Sequence, residues 1–293
     1  MQPPFDLTVI VAEARDNPDL EPVLAAIERT CAGLAAEVLV VRPPGRLPLR
    51  SSSSVALREL PASESTLVPD RWGIGVRAGS APVFGCLTTE LSVHPAWAHT
   101  LLEALNSGAV GAASAIGLTR PAGMVATAVY LVRFNAFLPD RTTGSHIADS
   151  IPGDAAVYRR NAVTEFADLL AEGFWEAEFH RRFKAQGSQL SITNEALSNF
   201  HSSLTLRSAV TVRARHGRGY GITRVRDHGE NRARLLLSAP LVPAILLARI
   251  LRRAARSPGA LRLAIRAFPA LVMICAAWAW GEASGAWSTR SNQ

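Results

Sequence analysis

The chain has 293 residues, of which 48 % are hydrophobic, and a net charge of +7 at pH 7. This length allows one large domain with an appendage, and the hydrophobic content is too low for a transporter with many membrane spans. Its cysteines (Cys31, Cys86 and Cys275) lie far apart, which argues against a disulfide framework or a zinc knuckle. The N-terminal sequence MQPPFDLTVIVAE has no basic segment before its apolar run, so we expect no signal peptide and a cytoplasmic catalytic part.

The positive charge is concentrated in one segment. Residues 205–266 contain 14 Arg against two acidic residues, Asp227 and Glu230, so the remainder of the chain is acidic. A basic segment on an acidic body indicates a polyanionic partner. The arginines stand between apolar runs, with few aromatic residues that could stack on bases. We therefore expect anionic membrane lipids as partners and no nucleic acid.

In chain order, the first elements predict a parallel sheet. Residues 7–12 and 37–41 are short apolar runs typical of buried parallel strands, and residues 20–34 have helical spacing between them. Such β-α-β units imply a sheet covered by helices. Residues 80–87 predict another central strand. Ligands of open parallel sheets bind beyond the carboxyl ends of the strands. The segments that this rule places around one crevice are Ala12 to Arg15, Arg42, and Thr88 to Glu90.

The middle of the chain predicts two helices, at 155–170 and 174–186, and two edge strands, at 190–193 and 197–201. The tail is different, because residues 235–251 and 267–287 are almost entirely apolar. The first run is shorter than the roughly 20 residues that a spanning helix needs. With arginines before and between them, the runs favour interfacial or re-entrant helices, or one or two imperfect spans. A helical pair buried against the catalytic domain is the alternative.

Three further segments resemble glycosyltransferase family 2, which has the GT-A fold. FGCLTTELSVHPAW, at 84–97, resembles that family's strand, acidic triplet and P-x-x-G-W stretch. Pro152-Gly153-Asp154 with Tyr158-Arg159-Arg160 resembles the acceptor-side turn P-G-x-N-x-x-x-R, and the segment from Phe174 to Gly187 resembles the one that carries the catalytic base. The resemblance covers nearly the whole chain and rests on the order of these motifs.

The resemblance implies an α/β GT-A nucleotide-sugar transferase domain at 1–226, and the basic, apolar composition predicts a helical membrane-binding tail at 227–293. It implies inverting transfer of a sugar from a nucleotide-sugar donor to a lipid-linked or polysaccharide acceptor. The reaction would take place at the cytoplasmic face of the cell membrane, with Mg²⁺ or Mn²⁺ as cofactor.

The resemblance also implies roles for single residues. Glu176 would be the catalytic base, unless it is an ordinary exposed carboxylate on its helix. Asp154 and Trp175 would face the acceptor, unless Asp154 caps a helix, and Glu90 and His201 would hold the metal. A glycine-rich basic loop at 216–221 would close over the diphosphate, although its arginines could instead contact lipid head groups. The residues expected at the donor are Ala12, Glu13, Arg15, Arg42, Thr88, Thr89, Arg215 and Arg218.

Two positions depart from the family pattern. Arg42 stands where the family has an acid that holds the nucleoside, and Thr88-Thr89-Glu90 keeps only the last acid of the D-x-D triplet. The site therefore uses fewer carboxylates for its metal, needs no metal, or has lost activity, in which case the chain is an assembly partner in envelope-glycan synthesis. A nucleotidyltransferase would need a lysine-rich loop, and the only lysine in the chain is Lys184.

Overall fold

The computed structural model describes residues 4–14, 19–49, 54–226 and 229–288. The chain forms two compact units. The first, the sheet unit, comprises Met1–Gly117 and Arg141–His201, and the second, the helical unit, comprises Leu118–Asp140 and Ser202–Gln293. Residues 118–140 and 202–226, which the sequence-based boundary at 226 placed with the catalytic domain, thus pack with the tail.

The sheet unit contains a single nine-stranded sheet. Its strands are β1 (Leu7–Ala12), β2 (Ala36–Arg42), β3 (Ala56–Pro61), β4 (Val83–Thr88), β5 (Leu91–Ser92), β6 (Gly111–Leu118), β7 (Ser145–Ala148), β8 (Ala155–Arg159) and β9 (Leu190–Phe200). The α-helices of the described residues are α1 (Glu21–Thr30), α2 (Val68–Ala78), α3 (Trp97–Asn106), α4 (Met124–Phe134), α5 (Arg160–Thr164), α6 (Ala167–Ala171), α7 (Glu176–Ala185), α8 (Leu206–Arg226), α9 (Arg232–Ser238), α10 (Val242–Ala254), α11 (Ala260–Arg266) and α12 (Phe268–Ser288).

The strand order is β3-β2-β1-β4-β8-β6-β9-β5, with β7 paired to β9. The four strands from β3 to β4 are parallel, and β8 runs antiparallel between β4 and β6. Every residue of β1 and β2 is buried, as expected for strands covered on both faces. The α/β class predicted from the sequence is confirmed.

The position of β1 determines where a ligand site lies. From β1 the chain proceeds outward to β2 and β3, and then returns to the opposite side of β1 with β4. Crevices form at such a reversal, outside the carboxyl ends of the two strands. Ala12 and Thr88 are the last residues of β1 and β4 and are register partners.

Some local predictions are wrong. Residues 155–159 form β8 instead of the start of a helix, because this buried segment pairs with β4 on one side and β6 on the other. Tertiary pairing overrides the helical preference of its alanines. The two edge strands predicted at 190–201 form one continuous strand, β9, which lies between β6 and β5.

The helical unit is organised by a close crossing of α8 and α12. Gly217 and Gly221 of α8 face the backbone of α12, and Gly281 and Gly285 of α12 face the backbone of α8. A Cβ atom at Gly217 would lie 2.4 Å from the carbonyl oxygen of Trp278. Each helix thus carries a G-x-x-x-G pair, the spacing that lets helix backbones approach closely. The loop predicted at 216–221 is therefore wrong, since these residues belong to α8.

The predicted tail is helical in the described residues. By length and composition alone, the segment Arg232–Ala254 could cross a membrane, with a mean hydropathy of 1.8 over its most apolar stretch. The pair α11 and α12 meets the same criterion together, although the two helices are bent by 79° against each other. Whether the tail binds a membrane stays a prediction.

Candidate active site

The ends of β1 and β4 are joined through main-chain and hydroxyl contacts. The amide of Thr89 donates to the carbonyl oxygen of Ala12 at 3.4 Å, and the amide of Ala14 donates to Thr89 Oγ1 at 2.8 Å. Thr88 and Thr89 are both fully buried. The structure thus brings together Ala12, Thr88 and Thr89, as the strand-end rule predicts.

Glu13 and Arg71 form a buried charged cluster at this edge. Glu13 is 1 % exposed, its Oε1 lies 3.0 Å from Nη2 of Arg46, and its carbonyl oxygen accepts a hydrogen bond from Nη1 of Arg71. Burial is the main cause that lowers the pKa of Arg71. Arg71 lies on α2, directly before the buried Trp72, whose indole donates to Leu87 O at 2.9 Å.

Three polar atoms at this edge are buried without a hydrogen-bond partner in the described part of the chain. They are Oε2 of Glu13, Nε of Arg71 and Oγ1 of Thr88. Buried polar groups in native proteins are almost always paired with protein or ordered water, so a group of three indicates a strained or functional site. All three flank the crevice that the strand order predicts.

Arg42 has a structural role. Its Nε donates to Glu59 Oε2 at 2.9 Å, and its Nη2 donates to Leu47 O at 2.6 Å. Glu59 lies on the neighbouring strand β3, and its Oε2 is also 2.8 Å from Nη2 of Arg42. The guanidinium is thereby held at the β2–β3 edge. Arg15, the remaining predicted donor contact of this segment, lies outside the described residues.

The turn before β8 places two carboxylates beside β4. Leu87 pairs with Ala155, so Asp154 lies next to Thr88. Glu176, the first residue of α7, packs on the same turn, because a Cβ atom at Gly153 would be 2.8 Å from Glu176 Cγ. Burial, followed by the charges of Glu176 and Asp154, raises the pKa of the Cys86 thiol on β4. Both carboxylates are half-buried.

The two acids at the start of α7 have different surroundings. Glu178 is paired with Arg181 by two hydrogen bonds and lies 3.9 Å from Arg182. Such exposed pairs contribute little and are typical of a solvated helix face. Glu176 instead contacts Gly153 at the sheet edge. Trp175, next to it, is 44 % exposed and donates its indole N–H to Glu172 O at 3.2 Å.

Glu90 and His201 lie next to each other. The amide of His201 donates to the carbonyl oxygen of Glu90 at 2.9 Å, where β5 pairs with the end of β9. No group of three or more His, Cys, Asp or Glu side chains suited to a metal occurs among the described residues. Mg²⁺ often takes only one or two carboxylates and completes its shell with substrate phosphate and water. The printed contact between Glu90 and His201 joins main-chain atoms, and the metal itself stays a prediction.

Arg215 and Arg218 lie on α8 of the helical unit, where both are exposed. Their predicted contact with the donor stays a prediction. Arg71 and Arg46, in contrast, were not among the site residues predicted from the sequence. The sequence signal for Arg71 is a charged residue next to Trp72 on the buried face of α2. A buried charge is tolerated only when it is paired or hydrogen-bonded.

No family model matches the chain, and no curated protein sequence matches it. The site is therefore assigned from the residues themselves. Glu13, Thr88 and Thr89 lie at the carboxyl ends of β1 and β4, and Asp154 and Glu176 lie at the turn before β8, next to the end of β4.

Proposed function

We propose that the sheet unit is an inverting glycosyltransferase that uses a nucleotide-sugar donor. The observation that carries this proposal is the convergence of Glu176 and Asp154 on the turn beside the end of β4, next to the strand-order reversal. A half-buried carboxylate at the mouth of a nucleotide-type crevice is suited to act as a general base. Within the confirmed α/β class the proposed fold is GT-A, and the parallel β3-β2-β1-β4 order supports it.

The donor diphosphate would occupy the crevice between the ends of β1 and β4. Arg46, which is 38 % exposed, supplies a positive charge beside Glu13, and Arg71 places a second guanidinium against the carbonyl oxygen of Glu13. Arginine is suited to diphosphate because its guanidinium makes paired hydrogen bonds. A divalent cation held by Glu90 and His201 would supply the charge that neutralises the leaving diphosphate.

The transfer itself requires a base, an oriented acceptor and a stabilised leaving group. Glu176 takes the proton from the acceptor hydroxyl as that oxygen attacks the anomeric carbon, and the bond to the diphosphate breaks on the opposite side. Asp154 orients the acceptor through a hydrogen bond. Trp175 offers an exposed aromatic face on which a sugar ring stacks.

The acceptor is proposed to be lipid-linked or a polysaccharide at the cytoplasmic face of a membrane. The surface of the helical unit supports this, since Leu237, Trp280 and Trp287 are 82 %, 75 % and 67 % exposed. Large exposed apolar residues together with many arginines favour anionic membrane surfaces.

One observation favours a second candidate, an inactive relative that acts as an assembly partner. Thr88 stands at the first acidic position of the D-x-D triplet, and Thr89, at the middle position, holds the amide of Ala14 with its hydroxyl. A neutral threonine hydroxyl at position 88 does not replace the carboxylate that hard cations prefer. In this case the crevice would bind nucleotide without turnover, or would bind none.

Calorimetric titration of the full chain with uridine and guanosine diphosphates, with and without Mn²⁺, separates these candidates. We expect binding of one nucleotide that strengthens with Mn²⁺ and loses this gain in Glu90→Gln. Hydrolysis or transfer of the matching nucleotide-sugar then distinguishes enzyme from assembly partner. Failure of a folded chain to bind any nucleoside diphosphate would reject the proposal.

A further inference from the structure

A cavity of about 380 Å³ lies within the helical unit, between α4, α8, α10 and α12. This volume is in the range of roughly 300–1,000 Å³ that small-molecule sites have. Four arginines line the cavity: Arg213, Arg224, Arg249 and Arg253. The identity of a ligand depends on how many of these charges the protein already neutralises.

Arg224 is neutralised within the protein. Its Nη2 lies 2.6 Å from Glu230 Oε2, and its Nη1 contacts the buried carboxylate of Glu282. The hydrogen bonds to Glu230 and Glu282 raise the pKa of Arg224. This group therefore joins α8 to α12 and, with one cation between two carboxylates, contributes a net charge of about −1.

The other three arginines have no carboxylate partner in the ranges that the structure describes. Arg253 donates to the neutral side chain of Asn135 at 2.6 Å. The guanidinium of Arg213 lies 4.3 Å from the ring centroid of Trp278, and its buried Nε has no hydrogen-bond partner among the described residues. Burial lowers the pKa of Arg213 to about 10, so it remains positive at pH 7.

Arg249 and Arg253 are one helical turn apart on α10 and line the same cavity. The rest of the lining from α10 is mainly apolar and includes Ile245, Leu246 and Ile250. Ile245 is 54 % exposed, so the apolar lining continues to the protein surface. The site thus combines three arginines that lack a carboxylate partner among the described residues with an apolar passage to the protein surface.

We propose that this cavity binds one lipid whose head is a phosphate monoester. Arg213, Arg249 and Arg253 contact the phosphate oxygens, and the hydrocarbon chain leaves past Ile245. The three arginines together with the Arg224 group carry a net charge of about +2 (3 − 1). A phosphate monoester carries a charge of about −1.5 to −2 at pH 7, which complements this charge better than a singly charged diester does. Charge-assisted hydrogen bonds from arginine to phosphate supply the affinity. The proposal is independent of sugar transfer, because all of its residues belong to the helical unit.

Native mass spectrometry of the full chain in a non-ionic detergent tests this proposal. The chain is offered equal amounts of phosphatidic acid, a monoester, and phosphatidylglycerol, a diester, with identical acyl chains. We expect one bound phosphatidic acid per chain and at least severalfold less phosphatidylglycerol. Inorganic phosphate should compete only weakly, since it lacks the hydrocarbon part.

Arg213→Gln and Arg249→Gln should each weaken binding about tenfold or more, because hydrogen bonds between charged groups contribute about 1.5–3 kcal/mol. Arg252→Gln is the matched control, as it removes a neighbouring charge that does not line the cavity. Ile245→Trp narrows the exit without changing the charge and should also reduce occupancy. Circular dichroism checks that each variant is folded.

Equal occupancy by the two lipids would overturn the assignment to a monoester. Equal losses in Arg249→Gln and Arg252→Gln would show that the affinity comes from the general surface charge. Unchanged binding in a folded Ile245→Trp variant would place the lipid elsewhere.

Discussion

Gly217→Ala tests the crossing of α8 and α12. The added methyl group would lie 2.4 Å from the carbonyl oxygen of Trp278 and 3.1 Å from the amide nitrogen of Glu282. Both are main-chain atoms, which cannot rotate away, so the helices must separate. Overpacking of this kind costs about 1–3 kcal/mol. Replacing glycine by alanine within a helix gains about 1 kcal/mol, so we expect a net destabilisation of up to about 2 kcal/mol.

Gly219→Ala is the matched control. Gly219 lies two residues further along α8, and a Cβ atom there would meet no atom within 4 Å. Only the helix-propensity gain applies, so this variant should be about 0.5–1 kcal/mol more stable than the wild type. The two substitutions are chemically identical and should change stability in opposite directions.

Thermal unfolding followed by circular dichroism measures both variants. A change of 1 kcal/mol corresponds to about 2–4 °C for a chain of this size class. Gly281→Ala checks the crossing from the other helix, since its methyl group would lie 2.0 Å from the carbonyl oxygen of Ala214. If Gly217→Ala is at least as stable as Gly219→Ala, α8 and α12 do not cross closely, and the cavity that they line is not formed as described.

Three further predictions concern the site, the pH dependence and the membrane. Glu176→Gln should lower transfer about 10²–10⁴-fold at unchanged donor binding, as loss of a positioned base does, and Glu178→Gln should leave it nearly unchanged; kinetics showing the reverse order would make Glu178 the base. Burial lowers the pKa of His180 to about 4, whereas the imidazole has a pKa of about 6.5 in the unfolded chain. The free energy of unfolding should therefore fall by up to roughly 3 kcal/mol as the pH falls from 6.5 to 4, because the unfolded chain takes up a proton that the folded chain does not. Denaturant titrations of His180→Gln should show a smaller fall over this pH range. Leu237→Ser should weaken binding to anionic vesicles, measured by sedimentation, about tenfold, because an exposed leucine contributes about 1.5–3 kcal/mol when it becomes buried. Leu47→Ser, at an equally exposed position of the sheet unit, should not weaken it. Equal effects of the two substitutions would show that the surface around Leu237 does not bind the membrane.

The centre of the sheet could be predicted because its signals are local. Residues 7–12 and 37–41 are continuous apolar runs of strand length, and both appear as buried strands within a residue or so. The edge strand β3 gives no such signal, since ALRELP is mostly exposed and ends in proline. Proline is tolerated there because an edge strand has one unpaired side.

The candidate site was only partly predictable, because much of it depends on tertiary contacts. The strand-end rule places Ala12 beside Thr88, but no local pattern shows that Arg71 of α2 reaches the carbonyl oxygen of Glu13. The contact between Gly153 and Glu176 joins segments that only the resemblance had connected. The glycines at 217–221 were interpreted as a loop, although the equally spaced pair at 281 and 285 is a sequence signal for a helix crossing.

The arginines of the two units bind different groups, and this difference indicates where the positive charge of the chain can act on a partner. In the sheet unit, Arg42, Arg159 and Arg160 donate to carbonyl oxygens or to a neighbouring carboxylate, and so hold strand and helix ends together. Their N–H groups are thus taken up by hydrogen bonds within the sheet unit. In the helical unit, Arg213 and Arg249 line a cavity without any acidic partner among the described residues. The basic segment of the chain therefore includes arginines that an anion can reach, and for this reason we expect the helical unit, rather than the sheet unit, to determine the affinity for lipid phosphate.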